Sequence, residues 1–323
     1  MGLSFARAAL RCNPLALLPE WFPFGQVRAS ASARAAALAS SVLEELPAPD
    51  GVATFVAGGR MTKGALPVAT PSFDAAVYCS RGRGYASYNE DAAGLFKDRE
   101  GRLYAFVLDQ AGGLGGQVRG QASELAAKEI YSALRSIAER QANKRSVIEG
   151  FLLEGFLSAH DALVSRKQGE VSTAVAAVIE PENAIVLNSG DSGALVFDKT
   201  GRLKRRTEMH EAPPPNEGCL LHALGLQPEG PEPDPYSIEL EAGDWLILAS
   251  DGLLDAMLPD AVFSEAFATT TSAEEAVNQI VSTALRRMST LRAKPDNISV
   301  VGIHALPKKT RRKSAKRKLD TVG

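Results

Sequence analysis

The chain has 323 residues, of which 45% are hydrophobic and 23% charged, the composition of a soluble globular protein with room for one large or two small domains. Fibrous, collagenous and wholly disordered classes are excluded, and no run approaches the roughly 20 uninterrupted apolar residues of a membrane-spanning helix. The net charge of -2 hides a split, because Lys308 to Lys318 holds eight basic residues and leaves 28 basic against 37 acidic residues in 1–307.

Residues 1–72 are rich in Ala, Ser and Pro and contain only one acid, Glu20, before Glu44. They are expected to be an extension, partly helical or disordered, with a short helix over 29–45. A cytoplasmic location is expected, and an organelle is the alternative if residues 1–45 are a transit peptide, since such peptides are Arg- and Ser-rich and acid-poor. From Phe73 onward short apolar runs predict strands: DAAVYCS, then 103–109, 173–179, 184–190, 193–198, 245–250 and 298–304. Between the second and third lie two helical patterns. One places Ala126, Ile130, Ala133, Leu134 and Ile137 on a face, the other Ile148, Leu152, Phe156, Ala159 and Leu163. A later helix starts at Ser272 with Glu275 three residues on, a capping box. Hairpins separated by blocks of helices argue for a layered α+β domain over a doubly wound parallel sheet. The glycine-rich stretch Gly112 to Gly120 is expected to open the first helix.

Cys12, Cys79 and Cys219 are far apart and form no C-x-x-C, so neither a disulfide framework nor a thiolate zinc site is suggested. His160, His210, His222 and His304 show no H-x-x-x-H spacing, which leaves carboxylates, and therefore hard cations, for any bound metal. Asp109, Asp251 and Asp296 each sit at the end of an apolar strand beside Gly, Asn or Gln. Carboxylates converging on one rim of a sheet repel unless a cation neutralises them; equally, each Asp suits a turn or cap. Asp191, in the GDS at 190–192, is expected to be a turn residue satisfying backbone donors.

Seven motifs carry a resemblance. They are NEDA at Asn89 to Ala92, FVLDQAGG at Phe106 to Gly113, STAV at Ser172 to Val175, NSGDSGA at Asn188 to Ala194, ALG at Ala223 to Gly225, GDWLILASDGLLD at Gly243 to Asp255 and DNISVV at Asp296 to Val301. In kind and order they resemble the metal-dependent protein phosphatases, the PPM or type 2C family, across about residues 73 to 305. The resemblance implies an αββα sandwich over 73–306, two antiparallel sheets flanked by helices, with a basic, disordered tail over 307–323. It also implies a centre of two Mg2+ or Mn2+ ions. By motif, Asp109 would bridge the metals, the carbonyl of Gln110 would ligate one, and Asp251 and Asp296 would hold the other. Glu90 and Asp91 would act beside them by orienting metal-bound waters. The implied activity is serine/threonine phosphoprotein dephosphorylation, a signalling hydrolase reaction in which a metal-bridging hydroxide attacks the phosphomonoester in line.

The chain also departs from that pattern. The phosphate-gripping Arg before the NED motif is Ala86, with Arg81 and Arg83 just upstream. Gln110 replaces a metal-liganding glycine, and would be strained if the position needs positive φ. Ala111 leaves no histidine there as general acid, and the aspartate used elsewhere for a third metal would fall near Gln168, with Glu170 a loose substitute. The alternative function is therefore a weak or inactive phosphatase-fold regulatory or scaffold protein. A monomer acting on a phosphorylated protein is expected, with no membrane span. Residues 206–235 correspond to the family's flap beside the active site, and the basic tail offers contact to nucleic acid or an acidic partner.

Overall fold

The apolar runs in this chain lack polar alternation because the strands they form are covered on both faces. The structure is a computed structural model that describes residues 46–307 apart from 49–50, 58, 84–87, 112–120, 217, 257, 259 and 291. In chain order the elements are β1 (Leu46–Ala48), β2 (Gly51–Val56), β3 (Leu66–Ala69), β4 (Phe73–Ser80), β5 (Asp91–Lys97), β6 (Leu103–Asp109), α1 (Gln121–Arg140) and α2 (Arg145–Ser165). There follow β7 (Ala174–Glu180), β8 (Asn183–Ser189), β9 (Gly193–Phe197), β10 (Leu203–Arg206), β11 (Asp234–Glu239) and β12 (Trp245–Ala249). The chain continues through α3 (Asp251–Leu254), α4 (Asp260–Thr269), α5 (Ala273–Ser289) and β13 (Ile298–Ala305).

The strands form two antiparallel sheets. One has seven strands in the order β1-β2-β5-β6-β7-β8-β11, the other six in the order β10-β9-β12-β13-β4-β3. Strand β6 shows how they stack, because successive side chains point to opposite faces. Leu103, Ala105 and Val107 meet Val77, Leu246, Leu248 and Val301 between the sheets. Tyr104, Phe106 and Leu108 meet Ile130 and Leu134 of α1 and Leu152 and Phe156 of α2 on the outside. On the far side, Ile247 and Val300 pack against Val277, Ile280 and Ala284 of α5 and Phe263 of α4. The αββα sandwich implied by the resemblance is the observed architecture. Doubly covered strands read as continuous hydrophobic runs, which is why they were conspicuous in the sequence.

Three departures from the sequence expectations matter. Residues 46–69, placed in the extension, supply β1, β2 and β3, which pair with one another or with β4 and β5; the fold therefore begins before Phe73. Ser272 does cap α5, its Oγ accepting from the Glu275 N–H at 3.2 Å, but the Glu275 carboxylate reaches back to the Thr271 N–H at 2.8 Å, one residue earlier than a capping box requires. Cys79 is a buried free thiol, whereas Cys219 is disulfide-bonded, a link that the cysteine spacing did not suggest. The expected helix over 29–45, the glycine-rich stretch Gly112 to Gly120 and the basic tail from Lys308 lie outside the described residues. Among the described residues no helix is long and apolar enough to cross a membrane.

Gly94 of β5 pairs with Phe106 of β6, and a Cβ on Gly94 would stand 2.2 Å from the Phe106 ring. That ring belongs to an aromatic group in which Phe55 and Phe106 lie 5.6 Å apart, Phe55 and Tyr131 6.1 Å, and Phe96 and Tyr131 5.3 Å. Gly94→Ala is expected to destabilise the fold by about 1–3 kcal/mol through overpacking. Chemical denaturation checks this, with a lowered midpoint at unchanged slope; an unmoved midpoint would show that the ring has room to yield.

Candidate metal centre

Both sheets end in carboxylates at one rim. In the larger sheet Asp91 opens β5 and Asp109 closes β6, and the register places them directly opposite each other, an arrangement in which like charges destabilise a strand pair. In the smaller sheet β12 runs into Ser250 and Asp251, the first residue of α3, while Asp296 lies two residues before β13. The two segments approach each other closely. A Cβ on Gly252 would fall 1.7 Å from the Asn297 carbonyl oxygen, so the glycine after Asp251 is what lets α3 approach the segment carrying Asp296.

Neutral hydrogen bonds fix the carboxylates without discharging them. Ser250 Oγ donates to Asp91 Oδ2 at 2.9 Å and accepts from the Ser299 N–H at 3.0 Å, tying the two sheets together. Asn297 Oδ1 accepts from the Glu90 N–H at 2.8 Å, and its Nδ2 donates to the carbonyls of Arg81 and Tyr88. The Asp109 N–H donates to Thr173 Oγ1 at 3.0 Å, and the Asp109 carbonyl accepts from the Thr173 N–H and from Ser172 Oγ. Asp91 Oδ1, Asp191 Oδ1 and Asp251 Oδ1 are buried and have no hydrogen-bond partner.

The electrostatics follow from burial among like charges. Asp91 is pushed up to about 8, by burial first and then by Asp251 and Asp296, although Ser299 and Ser250 pull it back. Burial together with Asp91, Asp251 and Asp296 holds Asp109 well above the usual carboxylate range. Asp296 and Asp255 each rise to about 6, through burial and the proximity of Asp251. Among the described residues a cation enters the group, Lys294, whose Nζ lies 2.8 Å from Asp296 Oδ2 and 3.3 Å from Asp251 Oδ2. Its own pKa is raised, because Asp251 and Asp296 outweigh the burial that would lower it. Among the described residues no three Asp, Glu, His or Cys side chains already close on a single point. The donor set nevertheless suits Mg2+ or Mn2+. It consists of hard oxygens, three of them buried without partners, in a cluster carrying an excess of negative charge.

The stage II sporulation protein E (SpoIIE) family matches residues 99–305. The chain belongs to this family, and with it to the PPM-type phosphatases. No curated protein matches the sequence. Among solved structures, this SpoIIE-family chain resembles the S. agalactiae serine/threonine phosphatase, with a TM-score of 0.62 at 21% identity over 72% of this chain and 99% of that one. It resembles PppA, a regulatory component of the type VI secretion system of Pseudomonas aeruginosa, with a TM-score of 0.60 at 22% identity over 75% and 100%. The catalytic domain of the phosphatase PstP, solved in complex with two manganese ions, matches with a TM-score of 0.57 at 21% identity over 73% and 99%.

Of the residues singled out in the sequence, Asp91, Asp109, Asp251 and Asp296 come together. Glu90 joins through its backbone, its carbonyl accepting from the Gln110 N–H and from Ser123 Oγ. Gln110 is not among the residues with positive φ, so the expected backbone strain does not arise there. Its Oε1 accepts from the Ala122 N–H at 2.9 Å, holding the first turn of α1. Asp191 lies in the bend between β8 and β9 and its carboxyl takes a hydrogen bond from its own backbone N–H, as expected of a turn residue, but burial beside Asp251 and Glu211 also raises its pKa strongly and leaves Oδ1 unsatisfied. Lys294 and Asp255 had not been singled out. Ala86 lies outside the described residues. The flap segment is tied to the GDS turn, the His210 N–H donating to the Gly190 carbonyl at 3.0 Å.

Between its ordinary 3.8 and about 8, Asp91 keeps a proton in the fold that the unfolded chain releases, so this group's contribution to metal-free stability falls as pH rises through that window. Asp91→Asn cannot lose that proton. In chelator, the Tm advantage of Asp91→Asn over the parent is therefore expected to widen from about pH 5.5 to about pH 8.5. A gap that stays constant across the range would contradict the buried repulsion.

Proposed function

We propose that this chain is a Mg2+- or Mn2+-dependent protein-serine/threonine phosphatase that hydrolyses phosphomonoesters. Residues from 46 to 306 would form its catalytic domain. The observation that carries the reading is the gathering of Asp91, Asp109, Asp251 and Asp296 from the ends of both sheets, with buried oxygens that nothing in the fold satisfies. Asp109, Asp251, Asp296 and the carbonyl of Gln110 would hold two ions. Bound there, they lower the pKa of water and offset the charge of the transferring phosphoryl group.

The remaining work falls to the chain. Ser250 pins Asp91 Oδ2 and leaves Oδ1 as the atom able to take a proton from water or orient it. Asn297 holds Arg81, Tyr88 and Glu90 beside the carboxylates through hydrogen bonds to their backbones, with Arg83 two residues from Arg81. Cys79 is unsuited to covalent catalysis, because burial pushes its thiol up to about 12 and a thiol is not the nucleophilic form. Direct attack by water fits these residues better than a phosphoenzyme.

A regulatory or scaffold role without turnover is the second reading, and it is favoured by the Lys294 ammonium that already pairs with Asp251 and Asp296. Activity separates the two. With Mn2+ the purified protein is expected to hydrolyse p-nitrophenyl phosphate, and Asp109→Asn or Asp251→Asn to lower kcat by at least about 100-fold, more than the loss of an orienting partner costs. Mn2+ binding without turnover would favour the second reading.

A further inference from the structure

The Lys294 side chain stands where a cation serving Asp251 and Asp296 would be attracted. Its ammonium bridges the two carboxylates at 3.3 and 2.8 Å while the side chain remains 53% exposed. Pro295 follows it, and the residue before a proline is confined to extended backbone. One residue further on, Asp296 Oδ1 accepts from the Asn297 N–H at 2.9 Å, and Asn297 is itself anchored to the carbonyls of Arg81 and Tyr88. Lysine, backbone and acceptor are thus held in one short segment. Among the described residues, the recorded ion pairs to Asp251 and Asp296 come from Lys294.

We propose that Lys294 is a tethered counter-ion, which occupies the Asp251–Asp296 pair in the metal-free protein and which a divalent ion must displace in order to bind. The inference rests on the metal-centre reading above and adds to it a residue that sets the metal threshold. Two facts make displacement feasible. The pair uses only one oxygen of each carboxylate, Oδ2, and leaves Asp251 Oδ1 buried and unsatisfied. A lysine is a compact ammonium on a flexible four-carbon stem, and this one is half-exposed, so it swings into water at little cost. A divalent ion brings twice the charge and satisfies oxygens that the ammonium leaves alone. Lys294 thereby stabilises the empty site and raises the cation concentration needed to fill it.

The test is Mn2+ binding by calorimetry, with Tm in chelator as a second readout, on the full chain, Lys294→Met and Lys294→Arg. The expected result is that Lys294→Met binds Mn2+ about ten-fold more tightly than the parent, the scale of one removed charge contact at this distance. The same variant melts lower than the parent in chelator, whereas Lys294→Arg keeps a cation there and stays near the parent on both counts. If the parent binds Mn2+ and Lys294→Met binds it no more tightly, the counter-ion role is overturned and the metal centre stands. If neither binds Mn2+, both readings fall together. A purely structural ion pair would lower Tm in Lys294→Met without tightening Mn2+ binding, which also overturns the proposal.

Discussion

Four aspartates brought to one rim repel each other, and much of the local structure serves to hold them there. The repulsion is visible in the raised pKa of Asp91 and Asp109 and in two buried carboxylate oxygens, Asp91 Oδ1 and Asp251 Oδ1, that lack partners. A fold tolerates such a concentration of charge when other interactions exceed its cost. Here they come from the sandwich behind the rim, where β5, β6, β12 and β13 are buried on both faces. The carboxylates sit at the strand ends, so the strands' own packing fixes their spacing. Ser250 orients the Asp91 carboxylate with a neutral donor, and Thr173 and Asn297 hold the backbone at Asp109 and Glu90, none of them cancelling charge. The charge is left for a cation to cancel.

That constraint also explains the glycine at 252 and the lysine at 294. Asp251 and Asp296 come from different elements, and only a residue without Cβ allows the helix carrying the first to approach the backbone beside the second. Once close, the pair needs a positive charge, and Lys294 supplies one from within the chain. Stability of the metal-free protein and readiness to bind metal therefore oppose each other at one position, as is common where a site must be assembled before its ligand arrives.

The centre of the fold was legible in the sequence and its edges were not. Strands β4, β6, β7, β8, β9, β12 and β13 appear as apolar runs because they are covered on both sides. Strands β1, β3 and β11 lie at sheet edges and carry Pro47, Pro67 and Pro235, residues that argue against a strand unless its outer N–H groups go unpaired. The edge strand β10 reads LKRR and is exposed throughout. Strand β5 was masked by Gly94, whose missing side chain makes room for Phe106. At the site, the motif aspartates were found because they punctuate strands. Asp191 read correctly as a turn, but its burial near the carboxylates of Asp251 and Glu211 could not be read from its neighbours in sequence. Lys294, a basic residue before a proline, carried no local signal of a role at the site.

The central claim is that this rim is built to receive cations, and a crystal structure of the full chain grown with Mn2+ tests it most directly. The account predicts anomalous manganese density in contact with oxygens of Asp109, Asp251 and Asp296, with the Lys294 ammonium moved off the Asp251–Asp296 pair. Absence of anomalous density at the rim at saturating Mn2+, with Lys294 still bridging those two carboxylates, would contradict it.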